Sequence, residues 1–217
     1  MKTDAVASLG ELRASTLDCT ACRLADGRTQ VVFGDGNPEA DVVFVGEAPG
    51  QREDEQGIPF VGPSGQLLDR LLGEIGLERS DVYIANVVKC RPPKNRDPRP
   101  DEIDACKGYL REQLTLIDPK VVVTLGNFSS KLLLNTEAGI TRLRGTAYEW
   151  WGRYLVPTFH PAAALRGSAQ VLDQMRYDFG LIQDAIAGSL GVHTDETETD
   201  AEATPAADPE QLGLFGS

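Results

Sequence analysis

Four cysteines, Cys19, Cys22, Cys90 and Cys106, are the only ones in this 217-residue chain. Two form a C-x-x-C pair on a short polar segment. The third follows the apolar run Asp81–Val88, and the fourth opens a helix-like stretch. If all four serve one purpose, folding must bring three distant places together. Thiolates are soft ligands, and a four-thiolate site suits zinc or an iron–sulfur cluster. Two disulfides, or four unrelated buried thiols, are the alternatives. The N-terminus shows no basic-then-apolar targeting pattern, and intracellular proteins of this length seldom carry disulfides, so a shared metal is the expectation.

Four apolar, β-branched runs have the length of buried strands: Asp41–Val45, Val82–Val88, Val121–Leu125 and Tyr154–Thr158. Helical patterns alternate with them. Leu9–Leu17 reads as a short helix. Leu67, Leu68, Leu71, Leu72 and Ile75 mark a helix after the Gly62-Pro63-Ser64 turn, closed by Gly76. Pro100-Asp101-Glu102 opens another, a short helix runs from Gly126 to Leu134, and Gln170–Ala187 forms the last. Strand–helix alternation predicts an α/β fold: a three-layer αβα sandwich with a mainly parallel central sheet. Functional loops then belong at the carboxyl ends of the strands.

Residues 1–188 are expected to form one domain, and residues 189–217 an acidic disordered tail. The net charge of −12 argues weakly against nucleic acid, because seven acidic residues and no Lys or Arg lie from Ser189 onward. The remaining 26 acidic and 21 basic residues give the body a net charge of −5. Within it Lys89, Arg91, Lys94, Arg96 and Arg99 fall in one short loop opposed by Asp97 alone, a patch suited to phosphates. No run approaches the roughly 18 to 20 apolar residues of a membrane span, so a soluble, cytoplasmic protein is expected.

Three loops carry candidate chemistry. Gly46-Glu47-Ala48-Pro49-Gly50, continuing to Phe60-Val61-Gly62, fixes a tight backbone beside a strand end. It matches neither the dinucleotide glycine fingerprint nor the Walker phosphate loop. Asn86, at the next strand end, offers an amide donor and acceptor side by side. His160 is one of two histidines, the other being His193 in the tail, and suits charge stabilisation or proton donation.

Taken together, GEAPG…EDxxGxPFVGxxG, NVVKCRPPxNRxP, HPAA and the cysteine framework resemble the family 4 uracil-DNA glycosylases, from about Ser15 to Gln183. The resemblance implies a 4Fe-4S cluster on Cys19, Cys22, Cys90 and Cys106. It implies an extruded uracil held by the Gly46-Glu47-Ala48 backbone, stacked on Phe60, read by Asn86 and contacted by His160. The expected activity is monofunctional hydrolysis of the N-glycosidic bond, leaving an abasic site for base excision repair. Lys89, Arg91, Lys94 and Arg96 are expected to face DNA phosphates. Arg142, Leu143 and Arg144, with Leu165 and Arg166, are expected at the groove or as a wedge.

Two departures from the wider superfamily bear on mechanism. The best-known members carry an Asp that holds the attacking water where this chain has Ala48, which leaves Glu47 or Glu53 for that task, or leaving-group stabilisation alone. A covalently trapping branch uses a histidine after the second motif, and this chain has none there, so turnover is expected. A DNA-binding module without catalysis and a zinc-stabilised nucleotide enzyme are the competing readings. The intact Asn86, Phe60 and His160 oppose the first, and the lack of a phosphate loop opposes the second. Finally, Gln211, Leu212, Leu214 and Phe215 resemble the short peptides that dock on replication sliding clamps; the protein itself is expected to be a monomer.

Overall fold

The computed structural model describes residues 2–167 and 169–190. The expected tail and its clamp-like residues lie outside the described residues, apart from Ser189 and Leu190. Those two belong to the body: Ser189 N–H donates to the Asp184 carbonyl at 2.9 Å, and Leu190 packs on the core.

The chain runs through helix α1 (Lys2–Leu17), β1 (Asp35–Gly36), β2 (Val42–Gly46), α2 (Gln51–Gln56), α3 (Pro63–Glu74) and β3 (Tyr83–Asn86). It continues with α4 (Pro100–Ile117), β4 (Val121–Leu125), α5 (Asn127–Leu134), α6 (Ile140–Leu143), β5 (Tyr148–Trp150), β6 (Arg153–Thr158), α7 (Pro161–Arg166) and α8 (Ala169–Ala187). The six described strands form one sheet in the order β1-β3-β2-β4-β6-β5. β3, β2, β4 and β6 are parallel, and β1 and β5 close the edges antiparallel.

The sheet is covered on both faces, which explains why its inner strands read as unbroken apolar runs. Val43, Val45, Ala85, Val122 and Leu155 point to the layer of α1, α4 and α5. Their neighbours Val42, Phe44, Ile84, Val123 and Val156 point to α3 and α8. Phe44 stacks on Phe179 of α8, ring centroids 5.8 Å apart. The expected three-layer architecture is the one observed.

Several local features differ from the sequence reading. α1 begins well before Leu9, and α2 occupies part of the expected Gly/Pro loop. The edge strands β1 and β5 were missed. β5 and β6 are joined by Trp151-Gly152, both at positive φ (49° and 74°), the conformation that closes a two-residue hairpin. Cys106 lies inside α4 rather than at its start.

Parallel strands place their carboxyl ends along one rim. Gly46 is level with Asn86, and Leu125 with Thr158. The loops carrying Glu47, Asn86, Gly126 and His160 therefore meet on one side of the molecule.

Candidate active site and cysteine centre

The rim opens into a cleft lined by Glu47, Phe60, Asn86, Asp97, His160 and Arg166, among others. The spacing of two of its walls is set by a glycine. A Cβ on Gly46 would lie 2.3 Å from Asn86 Oδ1 and 2.9 Å from the Phe60 ring, so only a bare backbone fits between the amide and the aromatic face. Beyond Gly46 the two motif loops stay paired. Val87 and Val88 N–H donate to the carbonyls of Gly46 and Glu47 at 3.0 and 3.1 Å.

Asn86 is 2 % exposed, and its Oδ1 is the one buried side-chain N or O atom without a hydrogen-bond partner among the described residues. Such an orphan costs about 1–3 kcal/mol. A buried acceptor left open on a cleft wall is a recognition group awaiting a donor.

Phe60 is held in a left-handed backbone conformation, φ 53°, that a bulky residue rarely adopts. Its surroundings enforce it. Arg79 donates to the carbonyls of Phe60 and Pro59. Glu53 Oε1 accepts from the N–H groups of Val61 and Gly62 at 3.0 and 3.1 Å. Glu53 thus builds the loop that presents Phe60, which makes Glu47 the stronger of the two water-orienting candidates.

The Phe60 ring lies 5.7 Å from the His160 ring, tilted by 31°. His160 caps α7: its Nδ1 accepts from the Ala162 N–H at 3.1 Å. Nδ1 is therefore unprotonated and the ring proton sits on Nε2. Burial first, and then the Arg166 cation, lower the His160 pKa to about 4. The histidine is a neutral N–H donor at physiological pH rather than an acid. Burial raises Glu47 to about 7, with Asp97 adding a smaller push in the same direction. Asp97, seen in the sequence only as the counter-charge of a basic loop, shares the cleft wall with Glu47.

The basic residues separate into two groups. Lys89 is 1 % exposed, with its ammonium bonded to the Asn86 carbonyl (2.9 Å) and Gln113 Oε1 (2.5 Å), so it does not face phosphates. Arg96 is also committed inward. It makes a two-pronged ion pair, 2.8 and 2.5 Å, with the fully buried Glu102, which also accepts from the Arg99 N–H and so fixes the start of α4. Arg144 likewise grips the buried Asp178, whose carboxylate also accepts from Thr158 Oγ1, and thereby braces the end of β6 below His160. Leu143 is buried rather than a wedge.

The corrections to these three cations share a cause: each has a buried polar partner inside the fold. By contrast, Lys94, Arg142, Arg166 and Leu165 are exposed, and Arg91 bonds Asn95 Oδ1 at the surface. Arg52 and Lys131, which the motifs did not single out, also line the cleft.

On the far side of Lys89, the four cysteines line one small cavity, and all are free thiols. Leu24, Val31 and Ala105 supply apolar walls. Arg28 reaches Cys90 Sγ at 3.5 Å while donating to the Cys19 carbonyl. The Lys89 N–H points to Cys106 Sγ at 3.3 Å. Among the described residues, no three His, Cys, Asp or Glu side chains converge closely enough for a single ion. Four cysteines gathered at one cavity are an all-sulfur donor set, which fits a soft-metal or iron–sulfur group.

The uracil DNA glycosylase superfamily model matches residues 33–179. The type-4 uracil-DNA glycosylase of Sulfurisphaera tokodaii is 48% identical over 167 residues, 73% of this chain and 76% of the relative. That of Thermotoga maritima is 48% identical over 71% of this chain and 81% of its own length. That of Archaeoglobus fulgidus is 44% identical over 79% and 90%. The fold and the rim site define an α/β protein of the uracil DNA glycosylase superfamily. Within that superfamily the chain belongs to the type-4 family. Among the described residues, no helix is long and apolar enough to cross a membrane.

The electrostatic reading of the cleft is open to direct measurement. In carbon-13 NMR, the Glu47 carboxyl should titrate near pH 7. Asp97→Asn should lower that midpoint only partly, since burial is the larger cause. A Glu47 midpoint in the ordinary carboxylate range would contradict it.

Proposed function

We propose that this protein removes uracil from DNA, hydrolysing the N-glycosidic bond and leaving an abasic site. The observation that carries the reading is the unpartnered Asn86 amide oxygen, facing a cleft that also holds an aromatic ring and a neutral histidine.

A base inside a duplex must leave the stack to be attacked. The extruded uracil lies against Phe60, with the bare Gly46 backbone allowing close approach. Asn86 Oδ1 accepts the uracil N3–H and its amide N–H donates to O4. Cytosine presents the reverse pattern at these positions, so the same amide rejects it. Rejection of thymine's methyl group falls to Glu47 and its turn.

As the bond from C1′ to N1 breaks, its electron pair passes into the uracil ring and charge gathers on O2. The His160 Nε2–H, fixed by the Ala162 contact, donates to that oxygen. A preorganised neutral donor stabilises a forming anion without first losing a proton. Glu47, ionised above about pH 7, orients the water that adds to C1′ and takes its proton, the task that Ala48 cannot perform. Cys19, Cys22, Cys90 and Cys106 would hold a 4Fe-4S cluster. When bound, it supplies iron–thiolate bonds that join the N-terminal segment to the loop between Cys90 and Cys106. Lys94, Arg91, Arg142 and Arg166 remain as surface contacts to phosphates. The lysine lining the cleft, Lys131, is ion-paired with Glu137 at 3.2 Å, in keeping with a glycosylase that makes no lyase intermediate.

Labelled uracil-containing DNA tests the reading. Strand breaks are expected only after alkali, and a lack of breaks after alkali would refute it. Asn86→Ala and His160→Ala should each lose on the order of 10² to 10³ in rate. The wild-type rate should rise with pH through about 7 as Glu47 ionises, and that rise should vanish in Glu47→Gln.

The clamp-like C-terminal residues extend the proposal to a partner. A tether to a sliding clamp would raise the local concentration of enzyme on DNA without new DNA contacts. Full-length protein should bind the host clamp, and the double substitution Leu214→Ala with Phe215→Ala should abolish binding. Equal binding by the two proteins would remove the clamp from the account.

A further inference from the structure

A buried lysine stands between the cleft and the cysteine cavity. Lys89 lines that cavity, and its backbone N–H lies on Cys106 Sγ. Its backbone carbonyl accepts from the Val32 N–H at 2.8 Å, and its ammonium ends on the Asn86 carbonyl. Gln113, the second partner, is itself held: its amide donates to the Phe33 carbonyl at 2.9 Å and reaches the Tyr83 hydroxyl at 3.2 Å. The Phe33 ring lies 5.9 Å from the ammonium.

A fully buried ammonium normally pairs with a carboxylate. Here its hydrogen-bond partners are neutral oxygens, and the cavity that the residue lines is built of four thiols. Bound to a cluster as thiolates, the four cysteines would bring a net negative charge to the cavity that Lys89 lines. They are the anion that this cation lacks.

We propose that Lys89 is the internal counter-ion of the cysteine centre and, through the Asn86 carbonyl, the positioning residue for the base-reading amide. The second half rests on the uracil-reading role given to Asn86 above; the first half does not. Lys89 donates at the peptide of the same residue whose side-chain oxygen opens on the cleft. The charge that holds the ammonium in place therefore also fixes the end of β3. This places the cysteine centre two contacts from the substrate, with no redox role in the reaction.

The test uses full-length protein carrying its bound centre, comparing wild type with Lys89→Met and with the smaller, polar Lys89→Gln. A fixed positive charge beside a cluster favours its reduced form. Both variants should therefore show a more negative reduction potential by film voltammetry, with absorbance near 400 nm retained. On uracil DNA, Lys89→Met should lose at least tenfold in kcat with KM nearly unchanged, since surface phosphate contacts are untouched. A potential unchanged in both variants overturns the counter-ion assignment. A wild-type kcat in both overturns the positioning role. Should Lys89→Met fail to fold, Lys89→Gln carries both measurements. If wild type itself leaves uracil in place, the glycosylase reading has failed, while the potential still decides the counter-ion.

Discussion

The contact of Gly46 with the Asn86 amide and the Phe60 ring is the constraint around which the site is arranged. It exists because β2 and β3 are parallel and in a register that puts Gly46 level with Asn86. A shift by one residue would turn both side-chain sets to the opposite face of the sheet. That would break both core layers, since Val43 and Val45 belong to one and Val42 and Phe44 to the other. The hydrophobic burial that specifies the register thus also specifies the spacing of the cleft walls. Precision at the site follows from the core and needs no bound ligand.

Two titratable groups of the site are held toward their neutral forms, and this has a thermodynamic cost. His160 is kept neutral and Glu47 is pushed toward its neutral form. The unfolded chain binds more protons at His160 than the folded one between about pH 4 and the usual 6.5, so that residue adds stability as pH rises. Glu47 acts in the opposite sense between 4.5 and about 7, where the folded state holds the extra proton. Together with the strained Phe60 and the open Asn86 acceptor, these features store unfavourable energy where a neutral planar base would lie. The surrounding braces, Arg79 and Glu53 on the Phe60 loop and Arg144 with Asp178 beneath His160, hold it there.

The layered fold and the placing of Gly46, Phe60, Asn86 and His160 on one rim were legible in the sequence. Strands buried on both faces announce themselves as continuous apolar runs, and parallel topology does the rest. The edge strands were not legible, because Asp35–Gly36 and Tyr148–Trp150 are too short to show a period. The charges misled for a different reason. A sequence shows that Lys89, Arg96 and Arg144 are cationic, but not that Gln113, Glu102 and Asp178 wait for them inside the fold. Glu102 and Asp178 are fully buried carboxylates on helices, and a carboxylate at an inward-facing helical position is the one signal that a basic partner is spoken for.

The cysteine centre is best understood as acting locally. The N-terminal segment already has its own anchors: Leu9, Leu12 and Leu24 are buried against the α4 layer, and Arg23 meets Asp101 at the start of α4. The exposed Arg23 pair adds little by itself, but the apolar contacts do not depend on metal. Ligation would therefore bear mainly on the Cys90–Cys106 loop, which leaves β3 just beyond Asn86 and re-enters the fold along α4. That loop has few alternatives for order. Lys94 and Asn95 sit at positive φ, and its main internal brace is the Arg96–Glu102 pair. Tying both of its ends to one metal group through Cys90 and Cys106 would remove freedom that could otherwise spread to Lys89 and the Asn86 peptide. A soft-metal clamp placed outside the sheet would thus order the end of β3 without entering the cleft.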